Sequence, residues 1–204
     1  MRTVTGLFDS YTDAESAVSQ LRSLGIDHDE ISVVSNNSDS RHKIDADDND
    51  VAEDAGKGAG IGAVLGGTGG LLTGLGIMAI PGVGPVVAAG WLAATLAGAA
   101  TGAVVGGAAG GLIGALTDAG VDERDAHVYA EGVRRGGTLV TARVPDTLFG
   151  AAEDILAKSP RVDVAARRNA YLEGGWKSFD PTLDPYTPAE VEQERRRYDR
   201  STGI

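Results

Sequence analysis

Three histidines, His28, His42 and His127, are the side chains here best suited to metal ligation or proton transfer near neutral pH. None stands at HxxxH or HExxH spacing to another, so each is read as a surface histidine rather than a ligand. The chain has no cysteine, which removes disulfides, thiolate metal sites and cysteine catalysis. There is no Gly-x-Ser-x-Gly elbow. Carboxylate pairs abound, but at a formal net charge of −11 they are read as solvated faces, not acid–base dyads. The run Asp45-Ala46-Asp47-Asp48-Asn49-Asp50 offers calcium-type oxygens. It lacks the placed glycine and terminal glutamate of an EF-hand loop and is read as solvated linker. Lys57 is followed by Gly58 instead of Ser or Thr, so no P-loop forms. Gly67-Thr68-Gly69 does not sit between a strand and a helix, so the dinucleotide fingerprint fails too. The acidic balance repels phosphate backbones and argues against nucleic acid. The reading is a chain with no catalytic residue, no cofactor and no metal site.

What the residue spacing does carry is packing chemistry. Gly58, Gly62, Gly66, Gly70 and Gly74 recur every four residues, and so do Gly98, Gly102, Gly106, Gly110 and Gly114. Residues four apart share one helix face, so each series would make a groove where another backbone approaches closely. Glycine costs about 1 kcal/mol per helix-interior position relative to alanine, and close packing has to offset that. Between the series lies Pro81-Gly82-Val83-Gly84-Pro85, a turn signal that predicts a helical hairpin reversing at Pro81, Gly82, Gly84 and Pro85. Its helices are predicted over 57–80 and 85–117, about 36 Å and about 50 Å long at 1.5 Å per residue. No charged residue occurs between Lys57 and Asp118. That is long enough for two membrane spans, although the acidic flanks Glu53, Asp54, Asp118, Asp122 and Glu123 supply no positive-inside signal. Lipid and a dry protein core both remain open as surroundings.

The elements around the hairpin read as α+β. Residues 3–8 form a strand. Residues 12–24 carry Ala14, Ala17, Val18, Leu21 and Leu24 at helical spacing, with Gly25 as stop, and Ile31 to Val34 form a second strand. Residues 122–135 predict a helix capped by Asp122 and stopped at Gly136-Gly137, followed by a strand over Thr138 to Val144. A helix over 146–158 opens at Asp146, and Arg161 to Ala165 would form the last strand. Two β-α-β halves predict a ferredoxin-like sandwich with its helices on one face of an antiparallel sheet. The predicted divisions are 1–35 (first half), 36–55 (acidic linker), 56–120 (glycine-zipper hairpin), 121–166 (second half) and 167–204 (an extended arm with a short helix). In the arm, Thr187-Pro188-Ala189-Glu190 is a capping box. Its aromatics Tyr171, Trp176, Phe179, Tyr186 and Tyr198 are expected to clamp it to a surface. The basic islands Arg134-Arg135, Arg167-Arg168 and Arg195-Arg196-Arg197 are read as salt-bridge donors, with anionic lipid as the sharper alternative. Met1-Arg2-Thr3-Val4 moves straight into strand sequence, which predicts no secretory leader.

Three stretches resemble the bacterial general stress proteins of the seventeen-M-like family. They are Thr3-Val4-Thr5-Gly6-Leu7-Phe8-Asp9 with Ala14-Glu15-x-Ala17-Val18-x-x-Leu21, Gly25-Ile26 and Ile31-Ser32-Val33-Val34; Ile80-Pro81-Gly82-Val83-Gly84-Pro85; and Tyr129-x-Glu131-Gly132-Val133-Arg134-Arg135-Gly136-Gly137-Thr138-Leu139-Val140. The resemblance implies a non-enzymatic stress-response protein and transfers no catalytic residue. With the glycine series, it leads to the expectation of a homo-oligomer associated with the cytoplasmic face of a membrane. The alternative is a cytoplasmic, soluble self-assembling ring or filament.

Overall fold

The computed structural model describes residues 1–38, 76–101 and 111–199. The chain begins with strand β1 (Arg2–Phe8), helix α1 (Tyr11–Ser23), a 3-10 turn (His28–Glu30) and strand β2 (Ile31–Asn36). Ser10 caps α1 by accepting from the Asp13 amide, and Gly25 ends it at φ 93°. That is the left-handed conformation in which glycine carries no Cβ penalty. Beyond residue 75 come β3 (Gly76–Ile80), β4 (Gly84–Ala89), α2 (Trp91–Thr101), α3 (Leu112–Asp118), α4 (Glu123–Arg134) and β5 (Thr138–Val144). The C-terminal part adds α5 (Phe149–Lys158), α6 (Val164–Glu173) and α7 (Pro188–Asp199).

The fold is α+β around a five-stranded antiparallel sheet of order β1-β5-β2-β4-β3. β5 slots between β1 and β2, with Gly6 opposite Val140 and Val33 opposite Val140 on its other edge. Strand alternation divides the core in two. Val4, Phe8, Val33, Val140 and Ala142 face α1 and α5, packing with Ala17, Leu21 and Leu156. Leu7, Val34, Val86, Ala88 and Leu139 face the opposite way, against Leu92, Leu116, Ala126, Ala130 and Val133 of α2, α3 and α4.

This arrangement corrects the sequence reading in four places. Helices cover both faces of the sheet, not one. Residues 76–80 and 84–89 are strands, so the helical hairpin predicted over 57–80 and 85–117 fails there, while Trp91–Thr101 and Leu112 onward in the second predicted helix are helical. The turn at Pro81 to Gly84 reverses two strands instead of two helices, with the Val83 amide donating to the Ile80 carbonyl. The physical reason is β-branching: Val86 and Val87 are fully buried, and stiff branched side chains fit a pleated interior. These strands also extend the same sheet, so the described part of 56–120 is no separate insertion. Third, Arg161 to Ala165 is not a strand. Asp163 accepts from the Ala166 amide at 2.9 Å, and this cap starts α6 at Val164. Fourth, α5 opens at Phe149 and not at Asp146, after a turn in which the Leu148 amide donates to the Pro145 carbonyl.

Candidate functional site

Of the ten helix-packing glycines, Gly58, Gly62, Gly66, Gly70, Gly74, Gly102, Gly106 and Gly110 lie outside the described residues, as do most of the acidic linker and the Asp45–Asp50 run. Gly98 falls in α2 and Gly114 in α3. A Cβ built on Gly114 meets nothing within 4 Å among the described residues. Trp91, Leu92 and Leu96 bury the first half of α2 against the sheet. The second series therefore starts from a helix anchored on the α+β core.

The turn glycines have a different job. Gly82 and Gly84 stand at φ 74° and 96°. A Cβ at Gly82 would come within 2.6 Å of Pro181 Cα, and one at Gly84 within 2.7 Å of Pro185 Cβ. The β3–β4 turn is thus pressed against the arm that joins α6 to α7. Phe179, buried in the same core cluster as Val83, fastens that contact.

The same arm is locked by charges at the end of α4. Glu131 is fully buried. Its Oε1 accepts from Arg135 Nε at 2.6 Å and from Arg134 Nη1 at 3.4 Å. Arg135 reaches on to Glu194 of α7 at 2.9 Å and lies 4.2 Å over the Tyr171 ring. Arg134 donates to the Asp184 carbonyl at 2.8 Å and covers Tyr186 at 4.8 Å. Arg167 grips Asp9 through both guanidinium nitrogens, at 2.9 and 2.6 Å, and sits 3.5 Å over Tyr198. Arg195 donates to the Gly136 carbonyl at 2.9 Å, and Arg168 pairs with Asp125. Burial draws the Arg135 guanidinium down, but the Glu131 carboxylate and the bonds to Glu194 and Glu131 outweigh it and hold its pKa above the ordinary arginine value. The basic islands therefore serve this chain's own carboxylates and aromatics, and the arm is clamped to its own domain. A sequence holds no signal for these pairs: Arg167 and Asp9 stand 158 residues apart.

A cleft runs along the outer edge of β1. Its volume is about 640 Å³, and its walls come from β1 (Thr3, Thr5), α4 (Asp125, Tyr129), α5 (Glu153, Ala157) and the start of α6 (Asp163, Arg168). Arg161 pairs with Glu153 at 3.4 Å across it. Burial, with Asp125 adding to it, pushes the Tyr129 phenol up to about 12. At neutral pH that phenol is a neutral hydrogen-bonding group, not a base. Sequence reading missed this cleft, because it exists only where the expected last strand does not form. Among the described residues there is no cluster of His, Cys, Asp and Glu able to hold a metal ion, and no helix long and apolar enough to cross a membrane.

No curated protein and no solved structure matches the chain. Residues 3–82 match the family of the heat induced stress protein YflT domain. That match begins at β1 and ends inside the β3–β4 turn, taking in the first of the three stretches on which the resemblance to general stress proteins rested and the start of the second. Over residues 3–82, about two fifths of the chain, the protein is thus similar to a heat induced stress protein domain, which supports a likeness to the bacterial general stress proteins.

Proposed function

We propose that this chain is a non-enzymatic stress-response protein that works as a scaffold, joining copies of itself through its glycine-rich segment at the cytoplasmic face of a membrane. The observation that carries the reading is the pair of four-residue glycine series, which gives two faces suited to close helix packing. Gly114 adds to it from the described region, because no described residue stands over it. The test is Gly66→Leu with Gly106→Leu, read by the mass of the purified particle. Loss of the native oligomer is expected. A particle of unchanged mass overturns the reading.

A soluble self-assembling ring or filament is the second reading. It is favoured by the burial of Val86, Val87 and Ala88 in the sheet, which removes part of the apolar stretch from any bilayer. Carbonate extraction of cell membranes separates the two. Protein retained with the bilayer supports the membrane scaffold, and protein released without detergent supports the soluble assembly.

A further inference from the structure

β1 is an edge strand with one occupied position. On the side away from β5, the Leu7 carbonyl accepts from the Val162 amide at 2.8 Å. Backbone groups alternate in direction along a strand, so Thr5 and Thr3 point their N–H and C=O groups the same way as Leu7. No described residue pairs with them there. An unpaired edge of this kind is a template for another strand. In most proteins it is blunted by charge, proline or a covering loop. Here it forms the floor of the 640 Å³ cleft.

We propose that this cleft takes an extended, basic peptide segment of another protein as a sixth strand, antiparallel to β1 like every other pair in the sheet. Three observations fix the occupant. First, Val162 already holds a backbone donor at ladder distance from Leu7, so the cleft admits main chain at strand spacing before α6 turns the protein's own chain away. Second, β1 is recessed. Leu156 of α5 stands over Gly6 on one side, and Gly132 of α4 packs on Leu7 on the other. A second copy's β1 is recessed between its own helices, so two such edges cannot reach the roughly 4.8 Å that strand pairing needs. A single peptide can. Third, the cleft presents the carboxylates of Asp122, Asp125, Glu153 and Asp163; Arg124 holds Asp122, Arg168 holds Asp125 and Arg161 holds Glu153, which leaves Asp163 without a cation among the described ion pairs. The excess of acid matches lysine or arginine on the incoming strand. Backbone hydrogen bonds to Thr3 and Thr5 would supply affinity, and the charges selectivity.

The test uses the full chain and a labelled, capped hexapeptide, Lys-Thr-Val-Thr-Val-Lys, followed by fluorescence anisotropy. Saturable binding is expected. N-methylating the peptide amides along one strand edge should weaken it by roughly tenfold or more, and methylating the other edge should leave it within about twofold, because only one edge faces β1. A glutamate-ended peptide should bind roughly tenfold more weakly. Thr5→Pro removes an outward N–H without touching the β5 ladder and should abolish binding. The methylated peptides give the same answer on the unaltered chain if that variant does not fold. Absence of binding up to about 1 mM, equal binding of both methylated forms, or equal binding of the acidic peptide overturns the proposal. A fall in oligomer mass on Thr5→Pro assigns the edge to a second copy and overturns it as well.

Discussion

Helices α3 and α4 each carry one glycine, Gly114 in the first turn of α3 and Gly132 in the last turn of α4, and the two do opposite things. Gly132 of α4 sits where an added Cβ would overlap Leu7 Cδ2, so the helix lies directly on β1. Gly114 of α3 meets nothing among the described residues. The first glycine is explained by a neighbour within the chain. The second gives up helix propensity and gains no contact in the described fold. A glycine in a helix therefore marks a close approach only when something is found approaching. No approaching group stands over Gly114 among the described residues, and the self-association we propose would place one there. The helices differ at their ends too. α4 is held by the Glu131–Arg135–Glu194 bridge, whereas α3 packs through Leu112, Ile113, Ala115 and Leu116.

The difference can be broken from the α4 side. Arg135→Met leaves the buried Glu131 carboxylate only the 3.4 Å contact of Arg134 and should cost about 3 kcal/mol, read as a fall in the urea midpoint. Adding Glu131→Gln should recover much of it, since the uncompensated charge is then gone. Gly132→Ala forces Leu7 from its place and should cost about 2 kcal/mol after the gain in helix propensity.

Tyr129 gives α4 a pH signature. Its folded pKa of about 12 lies above the ordinary tyrosine value of 10.0, so the folded state holds the phenolic proton more tightly. The stabilisation is fully present below about pH 10 and is lost as pH rises through about 12, with a fall of roughly 2 kcal/mol expected. Tyr129→Phe should flatten the urea midpoint over that window, leaving the remaining slope to groups such as Tyr11, which burial also pushes up to about 12. On α3, Gly114→Ala should raise the unfolding free energy of the monomer by roughly 0.5–1 kcal/mol, because it gains helix propensity with no described residue in its way. A destabilised monomer would show that α3 is as tightly packed as α4, and the contrast would fail.

Local chemistry made much of the fold legible. The Asp122 cap and the Gly136 stop placed α4 within a residue of its ends, and Thr138 to Val144 is β5. The capping box also forms: the Thr187 amide and hydroxyl both donate to Glu190 Oε2 at 2.7 Å. The illegible parts have two physical causes. Glycine periodicity suggested helix up to residue 80, but Ile77 and Ile80 pair with β4, whose Val86 and Val87 pair with β2, tertiary contacts that override local pattern. At Asp163, one cap turned a would-be strand into α6, and the β1 cleft exists because of that single choice.

The place of β5 bears on how the protein is made. It lies between β1 and β2, so neither strand has its β5 partner until Thr138 to Val144 has been synthesised. On a ribosome adding about 5–20 residues per second, the roughly hundred residues from β2 to β5 mean a wait of about 5–20 s with two strand edges unsatisfied. Residues 3–82, although recognisable as a family domain, cannot close their own sheet. A polypeptide ended at residue 82 should stay unfolded or aggregate, and a nascent one should need shielding until β5 threads into the gap.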